Sequence, residues 1–378
     1  MKIYLDNAAT TQVAKEVFNS MKPYFAEKYG NASSLHSFGE EANKSLENSR
    51  KAIAEKLKAK PEEIIFTSGG TESNNLAILG IAHSYKEKGN HIITTKFEHP
   101  SVLETCKSLE KEGFNVTYLN LNREGLINLN ELKNSITSKT ILVSIMHANN
   151  EIGTMQDLKE IYKICKSKNI ILHTDAVQSF CKTELSSEMA DLISMSAHKI
   201  HGPKGIGALY IKKGIMLKKL FHGGKHEFNI RPGTENVLSI VGFARATTLI
   251  TKKDIEKMAK LRDKLIENIL KIKDTWLNGS KNRLCNNANI SFKYIEGESI
   301  LMYLNEKGIA VSTGSACAAK ELKPSHVLLA IGLKPEDVHG SIRFTLSKYT
   351  TEKEIGYVIK VLPEIVKQLR EMSPFKGE

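Results

Sequence analysis

One lysine stands in a sequence context that favours amine chemistry. Lys199 follows an apolar, β-rich run and lies in the segment 194–205, which carries hydroxyl residues, glycines and a histidine on either side of the lysine. A lysine ammonium that is partly desolvated beside other cations can lose its proton, and the neutral amine can form a Schiff base with an aldehyde. The segment therefore predicts a site for an aldehyde cofactor.

A phosphate site is predicted where a β-rich run turns into a helix. The segment 66–75 passes through two glycines, and Gly70 and Thr71 open the helix. Unpaired backbone N–H groups at a helix N-terminus bind phosphate, and a hydroxyl adds to them. The same pattern is also ordinary helix capping, so this segment alone does not decide between the two. Together with the lysine, it suggests pyridoxal phosphate.

Three polar side chains follow predicted strands and could contact such a ring. Asp175 ends a buried run, where an unpaired carboxylate is costly, so it either caps a turn or meets a protonated pyridine nitrogen. His99 is either structural or a group that stacks on the ring or moves protons. Asn150 either holds a turn or hydrogen-bonds a ring hydroxyl.

Two further residues, Cys317 and Arg343, are candidates for attacking a substrate and for holding it. Cys317 lies in a segment of small residues that could not pack a core, which favours a surface loop presenting a nucleophilic or redox-sensitive thiol. An incidental cysteine at a helix start is the alternative. Arg343 lies within an apolar strand-like run, so it needs a carboxylate partner. That partner is either an amino-acid substrate or a structural acid.

The elements that must position these residues form an α/β pattern. Short β-rich runs alternate with helical patterns between residues 60 and 215, which predicts a mostly parallel, seven-stranded sheet between helices. Ligands of such sheets bind at the carboxyl ends of the strands, where the polar segments fall. The predicted strands are 63–67, 91–95, 115–119, 141–145, 170–174, 191–195 and 206–210.

The pattern changes near residue 252, where a long charged helix, 252–273, begins. The rest of the chain alternates strands and helices as in a smaller α+β unit. We predict an N-terminal segment, 1–14, that packs with this unit, a large cofactor-binding domain, 15–250, and a small C-terminal domain, 251–378. The Cys317 loop, about 311–325, belongs to the small domain.

Composition excludes several other classes of protein. The 378 residues are 41% hydrophobic and 25% charged, as in an ordinary globular chain. The net charge of +12 comes from lysines and arginines spread along the sequence, which favours a solvated surface over nucleic-acid binding. No apolar run reaches the roughly 18 residues of a membrane span, and the N-terminus lacks the apolar core of a signal peptide, so we expect a cytoplasmic protein. Five widely spaced cysteines predict neither a disulfide framework nor a structural zinc site.

Taken together, these residues resemble a cysteine desulfurase of the NifS/IscS type, among the aminotransferase-like fold type I pyridoxal phosphate enzymes. The resemblance extends from Tyr4 to Phe344. Six further motifs carry it: Gly-Asn-Ala-Ser-Ser-Leu-His at 30–36, the loop 67–75, Met-His-Ala-Asn-Asn-Glu-Ile-Gly at 146–153, His-Lys at 198–199, Arg-Pro-Gly-Thr-Glu-Asn at 231–236 and Gly-Ser-Ala-Cys at 314–317.

The resemblance implies a role for each candidate residue. Lys199 would bind the cofactor covalently, Asp175 would pair with its ring nitrogen, and His99 would stack on the ring. Arg343 would hold the substrate carboxylate with help from Asn31. The remaining cofactor contacts would be Asn150 and Gln178 near the ring hydroxyl, Gly70, Thr71, Ser196 and His198 at the phosphate, and Thr234 at the phosphate of the other subunit of a homodimer.

It also implies the reaction. L-cysteine would be converted to L-alanine, and its sulfur would be left as a persulfide on Cys317. The sulfur acceptor would be an iron–sulfur scaffold protein, a tRNA-thiolation protein or both, and Cys317 could ligate an iron–sulfur cluster transiently with the scaffold. The alternatives are a selenocysteine lyase or an aminotransferase of the same fold, or a non-catalytic assembly scaffold.

Overall fold

The computed structural model describes residues 1–313 and 324–374. Each predicted β-rich run forms a strand within one residue of its expected bounds. The strands are β1 (Ile3–Tyr4), β2 (Ile64–Thr67), β3 (His91–Thr95), β4 (Asn115–Leu119), β5 (Thr140–Ser144), β6 (Ile171–Asp175), β7 (Leu192–Ser196), β8 (Gly207–Ile211), β9 (Thr275–Leu277), β10 (Asn287–Phe292), β11 (Ile309–Ala310) and β12 (Ser341–Thr345).

The seven predicted strands make one sheet in the order β2-β8-β7-β6-β5-β3-β4. Only β8 runs against its neighbours, β2 and β7, and the other pairs are parallel. The prediction of a mostly parallel seven-stranded α/β sheet is therefore confirmed. The short connection between β7 and β8 explains the reversal, because a parallel return needs a crossover of a dozen or more residues.

Helices cover both faces of this sheet and continue into the C-terminal part. They are α1 (Lys15–Met21), α2 (Ser37–Leu57), α3 (Gly70–Ser84), α4 (Pro100–Lys111), α5 (Leu129–Ser135), α6 (Leu158–Ser167), α7 (Val237–Thr247), α8 (Lys252–Ile269), α9 (Gly297–Glu306), α10 (His326–Ala330), α11 (Pro335–Val338) and α12 (Glu352–Met372), with 3₁₀ turns at Lys22–Phe25, Pro61–Glu63 and Ala197–Lys199. None of these described helices combines the length and apolar character needed to cross a bilayer.

The long charged helix begins where the sequence predicts but ends four residues early. Thr251 and Asp254 form a capping box at its start. At its end, the Thr275 hydroxyl donates to the carbonyl oxygens of Ile269, at 3.4 Å, and Ile272, at 2.7 Å. The Thr275 hydroxyl therefore contacts one carbonyl in the last turn of the helix and one just beyond it, where no following helical turn supplies an N–H donor.

A second, smaller body of packed apolar residues lies in the C-terminal part and includes the N-terminus. Its antiparallel sheet has the order β12-β10-β9. Strand β1 pairs in parallel with β11, with Ile3 opposite Ile309, and Leu5 is fully buried in the same apolar cluster. These contacts support the proposed association of residues 1–14 with the small domain, whose boundaries stay a prediction.

One turn near the large sheet has an unusual backbone. Glu227, Phe228 and Asn229 all have left-handed φ angles, of 46°, 55° and 64°. The Glu227 carboxylate accepts bonds of 2.8 Å from both terminal nitrogens of Arg50, and one of 2.7 Å from the N–H of Phe66. The Arg50 guanidinium also lies 4.9 Å from the Phe66 ring and 5.0 Å from the Phe228 ring. A buried ion pair thus holds a backbone that L-residues disfavour.

Candidate active site

A cavity of 470 Å³ opens at the carboxyl ends of the parallel strands. The N-terminal segment contributes Ala8 and Ala9 to its wall, and β12 contributes Arg343. Most of the predicted site residues therefore line this one cavity, although they come from distant parts of the sequence. Those that line the cavity are Gly70, Thr71, His99, Asn150, Asp175, Gln178, Ser196, His198, Lys199 and Arg343.

Three predicted site residues are not among those that line the cavity. Asn31 is exposed and accepts a bond of 2.9 Å from the N–H of Ser33, and Thr234 is exposed in a loop. Cys317 lies outside the described residues. Within residues 1–313 and 324–374, no three His, Cys, Asp or Glu side chains gather as a metal site would require. The roles given to Asn31, Thr234 and Cys317 stay predictions.

Lys199 occupies the 3₁₀ turn that follows β7. Its Nζ donates to the carbonyl oxygens of Ala8, at 2.5 Å, and Ala9, at 2.7 Å. Burial, together with the nearby cations Arg343 and Lys182, lowers the Lys199 pKa to about 7. A neutral amine is therefore accessible near neutral pH, as attack on an aldehyde requires.

The rate at which the cofactor-free chain takes up pyridoxal phosphate is expected to rise with pH and reach half its maximum near pH 7. A lowered lysine pKa makes the amine neutral above that pH, and only the neutral amine is nucleophilic. Stopped-flow absorbance between pH 5.5 and 9 measures the profile. The Lys204→Ala variant, which loses an exposed lysine, serves as the matched control. A midpoint above pH 9 would contradict the lowered pKa.

Asp175 is the last residue of β6 and is 5% exposed. Its Oδ2 accepts a bond of 2.7 Å from Asn74 Nδ2, and its Oδ1 accepts one of 2.9 Å from the N–H of Val177. These two donors fix the plane of the carboxylate at the sheet edge. Each oxygen retains a lone pair that could accept from a ligand's N–H.

His99 caps the start of α4. Its Nδ1 accepts a bond of 3.1 Å from the N–H of Ser101 and lies 2.8 Å from Ser101 Oγ. Burial lowers the His99 pKa, and Lys199 and His326 lower it further, against the opposing effect of Asp175. The imidazole is therefore biased towards its neutral form.

The phosphate end of the cavity is built from the start of α3 and the turn after β7. Gly70 opens α3, whose first N–H groups have no intrahelical acceptor. A Cβ at Gly70 would lie 2.6 Å from Val177 Cγ2, so only glycine leaves this cradle open. Ser196 is 2% exposed, and His198 Nδ1 lies 3.1 Å from Thr10 Oγ1. Hydroxyl, imidazole and backbone N–H donors together suit a phosphate.

Arg343 lines the cavity from β12 and has one buried donor that is unused. Its Nη2 pairs with Asp6 at 2.8 Å, and its Nη1 donates to the carbonyl oxygen of Asn150 at 3.1 Å. Its Nε is buried and has no hydrogen-bond partner among the described residues. A buried unpaired donor is costly, so a substrate carboxylate would complete the guanidinium. Of the two sequence alternatives, the structural acid is present as Asp6, and the substrate carboxylate stays a prediction.

Several cavity residues were missed by sequence reasoning. Asn74 lies one helical turn after Gly70, so its i+4 spacing was a usable signal. Glu151 and Ser325 gave no such signal, because their bond of 2.5 Å joins residues 174 positions apart. His326 Nε2 lies 2.9 Å from the carbonyl oxygen of Glu98. Burial raises the pKa of Glu151, although its hydrogen bond with Ser325 opposes that rise.

Comparison with known proteins shows the family to which this chain belongs. Residues 3–358 match the family model of class-V aminotransferases. A protein from Dictyoglomus turgidum named cysteine desulfurase IscS is 52% identical over 384 residues, covering 100% of this chain and 98% of that protein. The chain belongs to the cysteine desulfurase family of class-V aminotransferases.

Solved structures agree with this family assignment. A NifS-like protein superposes with a TM-score of 0.91 at 39% identity, covering 98% of this chain and 100% of that one. A structure of SspA in complex with cysteine has a TM-score of 0.84 at 38% identity, covering 93% of this chain and 100% of that one. The fold type I prediction is therefore confirmed.

The family depends on pyridoxal phosphate, and the cavity fits that cofactor. The Gly70 cradle suits a phosphate, and the Asp175 carboxylate can accept from a protonated ring nitrogen. Lys199, with its lowered pKa, is the amine that an aldehyde would meet.

Proposed function

We propose that this cysteine desulfurase acts on L-cysteine through Lys199, Asp175 and Arg343, and that the sulfur is received by Cys317. The supporting observation is the composition of one cavity. It combines a lysine of lowered pKa, a fixed carboxylate and an arginine whose buried Nε is unpaired. An amino-acid substrate needs these three functions, because it must react at Cα while its carboxylate is held.

The described residues divide the work between binding and proton transfer. Pyridoxal phosphate, when bound, withdraws electrons from the substrate Cα and so makes its proton acidic. Arg343 orients the substrate carboxylate, and the Lys199 amine accepts the Cα proton. The Asp175 carboxylate retains a proton on the ring nitrogen. His99 covers the ring face in this proposal, with Asn150 and Gln178 at the ring hydroxyl.

The cofactor phosphate is held, in this proposal, by Gly70, Thr71, Ser196 and His198. Burial and the nearby lysines together lower the pKa of His198 to about 4, so this histidine serves as a neutral donor. Thr234 and Asn31 lie away from the cavity of a single chain. We propose that the protein is a homodimer, in which Thr234 reaches the other subunit's phosphate. Asn31 would assist Arg343 with the substrate.

Transfer of sulfur is assigned to Cys317. Its thiolate attacks the substrate sulfur, so an S–S bond forms while the Cβ–S bond breaks and its electron pair stays with carbon. Protonation of that carbon then releases L-alanine, and the persulfide passes to an acceptor. We propose an iron–sulfur scaffold as acceptor and also tRNA-thiolation proteins. The cytoplasm stays the predicted compartment.

The deciding experiment measures sulfide and alanine released from L-cysteine, with and without a thiol reductant. The Cys317→Ser variant is expected to lose about 10³-fold in turnover, because serine cannot carry the sulfur. Cys165→Ala, which removes a buried thiol of α6, should stay close to wild type. Equal rates for wild type and Cys317→Ser would reject the assignment of Cys317.

The same samples separate the alternative functions. An aminotransferase would keep full turnover with an amino donor in the Cys317→Ala variant, because aminotransfer needs no thiol. A selenocysteine lyase would release selenide from selenocysteine while leaving cysteine unreacted. A non-catalytic scaffold would stay colourless after pyridoxal phosphate is added.

A further inference from the structure

A chain of hydrogen bonds joins Asp175 to His99 through two side chains that have no role in the proposed reaction. Asn74 Nδ2 lies 2.7 Å from Asp175 Oδ2 and 2.8 Å from Ser101 Oγ. Ser101 Oγ lies 2.8 Å from His99 Nδ1. Asn74 is 1% exposed, Ser101 is 8% exposed and Asp175 is 5% exposed, so water competes little for these bonds.

The direction of each bond follows from the chemistry of its ends. A carboxylate only accepts, so Asn74 must turn its amide nitrogen towards Asp175. That nitrogen carries two hydrogens, and its second hydrogen meets Ser101 Oγ. The Asn74 Oδ1 is left buried without a partner among the described residues. The reversed amide would place this oxygen against the Asp175 carboxylate, which explains why the unpaired atom is tolerated.

The last bond determines which nitrogen of His99 carries the proton. The backbone N–H of Ser101, at 3.1 Å, can only donate, so His99 Nδ1 must accept. Because Asn74 already donates to Ser101 Oγ, the hydroxyl hydrogen is free to donate to Nδ1 as well. We propose that Asn74 and Ser101 are positioning residues that hold His99 as the neutral imidazole with its proton on Nε2. Asp175 contributes by fixing the orientation of the Asn74 amide.

This arrangement defines what His99 can offer to a ligand. It lines the cavity, and the ring bonds that it makes with the described residues both use Nδ1. The ring therefore presents an Nε2–H donor and an uncharged face. An imidazolium would place a second hydrogen on Nδ1 against the Ser101 N–H. The titratable groups around the ring are Asp175, Lys199 and His326, and burial lowers the His99 pKa despite Asp175.

The test is nitrogen NMR of the full chain labelled with ¹⁵N-histidine, before and after pyridoxal phosphate is added. His99→Gln identifies the His99 signals among the 12 histidines. We expect an unprotonated Nδ1 and a protonated Nε2 at neutral pH. In Asn74→Leu, the tautomer ratio should fall about tenfold and the His99 pKa should rise by about one unit, the size expected for one lost hydrogen bond.

Two matched variants show whether the effect belongs to the bond chain. Asn75→Leu changes the neighbouring amide, which donates to the backbone carbonyls of Thr71 and Ser101 but not to the Ser101 hydroxyl, and should leave the tautomer unchanged. Ser101→Thr retains the hydroxyl and should keep the wild-type signals. Ser101→Ala should show the same fall in tautomer ratio and the same rise in the His99 pKa as expected for Asn74→Leu, so the proposal stays testable if Asn74→Leu does not fold. A protonated Nδ1 in the wild type, or equal shifts in Asn75→Leu and Asn74→Leu, would overturn the proposal. Because the readout is the ring protonation, it stands whether or not the chain desulfurates cysteine.

Discussion

Lys199→Ala is expected to abolish covalent retention of pyridoxal phosphate and to lower turnover of L-cysteine by about 10³-fold or more. Alanine offers neither the amine that binds an aldehyde nor the base that accepts the Cα proton, and such groups typically contribute 10²–10⁴-fold each. Borohydride treatment followed by mass spectrometry measures retention. In the wild type, the reduced adduct should map to Lys199, which lies in the cavity with a pKa of about 7.

Lys204→Ala is the control for this experiment, because Lys204 is exposed five residues further along the chain. It should retain the adduct and wild-type turnover. An adduct on a different lysine, or a Lys199→Ala variant with more than about a tenth of wild-type turnover, would contradict the role of Lys199.

Glu227→Ala should have the largest effect on stability. It leaves the buried Arg50 guanidinium with only the half-exposed Glu47, at 3.1 Å, as an acidic partner, and breaking a buried pair in this way typically costs about 3–5 kcal/mol in the free energy of unfolding. Both side chains are almost fully buried, with 3% and 2% of their surfaces exposed. The substitution also removes the acceptor for Phe66 N–H and the support for the left-handed turn. Urea unfolding followed by far-UV circular dichroism measures the change.

A surface ion pair provides the comparison. Lys159 and Glu184 are 62% and 74% exposed, so Glu184→Ala should change the free energy of unfolding by about 1 kcal/mol or less. Replacing both Arg50 and Glu227 with apolar residues should recover part of the loss, because the charge that remains, on Glu47, is half exposed to water. A loss below about 1 kcal/mol for Glu227→Ala alone would show that the pair does not stabilise the fold.

The sequence pattern predicted the large sheet well because each of its strands is a short, buried, β-rich run between helical segments. It also predicted that Asp175 and Lys199 would lie together, since both follow parallel strands whose carboxyl ends share one edge. The direction of β8 was left open by the prediction of a mostly parallel sheet. Its short connection to β7 carried that information.

Other features depend on contacts that a linear pattern does not contain. Asp6 and Arg343 are 337 positions apart, and nothing in either neighbourhood identifies the other. The left-handed turn at Glu227 has no glycine at its three unusual positions, so local preference argued against it. Asn74 and Ser101 look like ordinary helix residues until Asp175 and His99 are brought to them by the fold.

The bonds from Lys199 to Ala8 and Ala9, and from Arg343 to Asp6, have a consequence for the order of assembly. The cavity needs residues 6–9, which leave the ribosome before the large sheet, and also β12, which leaves the ribosome after it. Contacts of such separation form late, after the loop-closure entropy has been overcome. A nascent chain can thus build the large sheet early while its amine stays without a finished pocket. Chemistry at the lysine begins only when residues 6–9 and β12 have met.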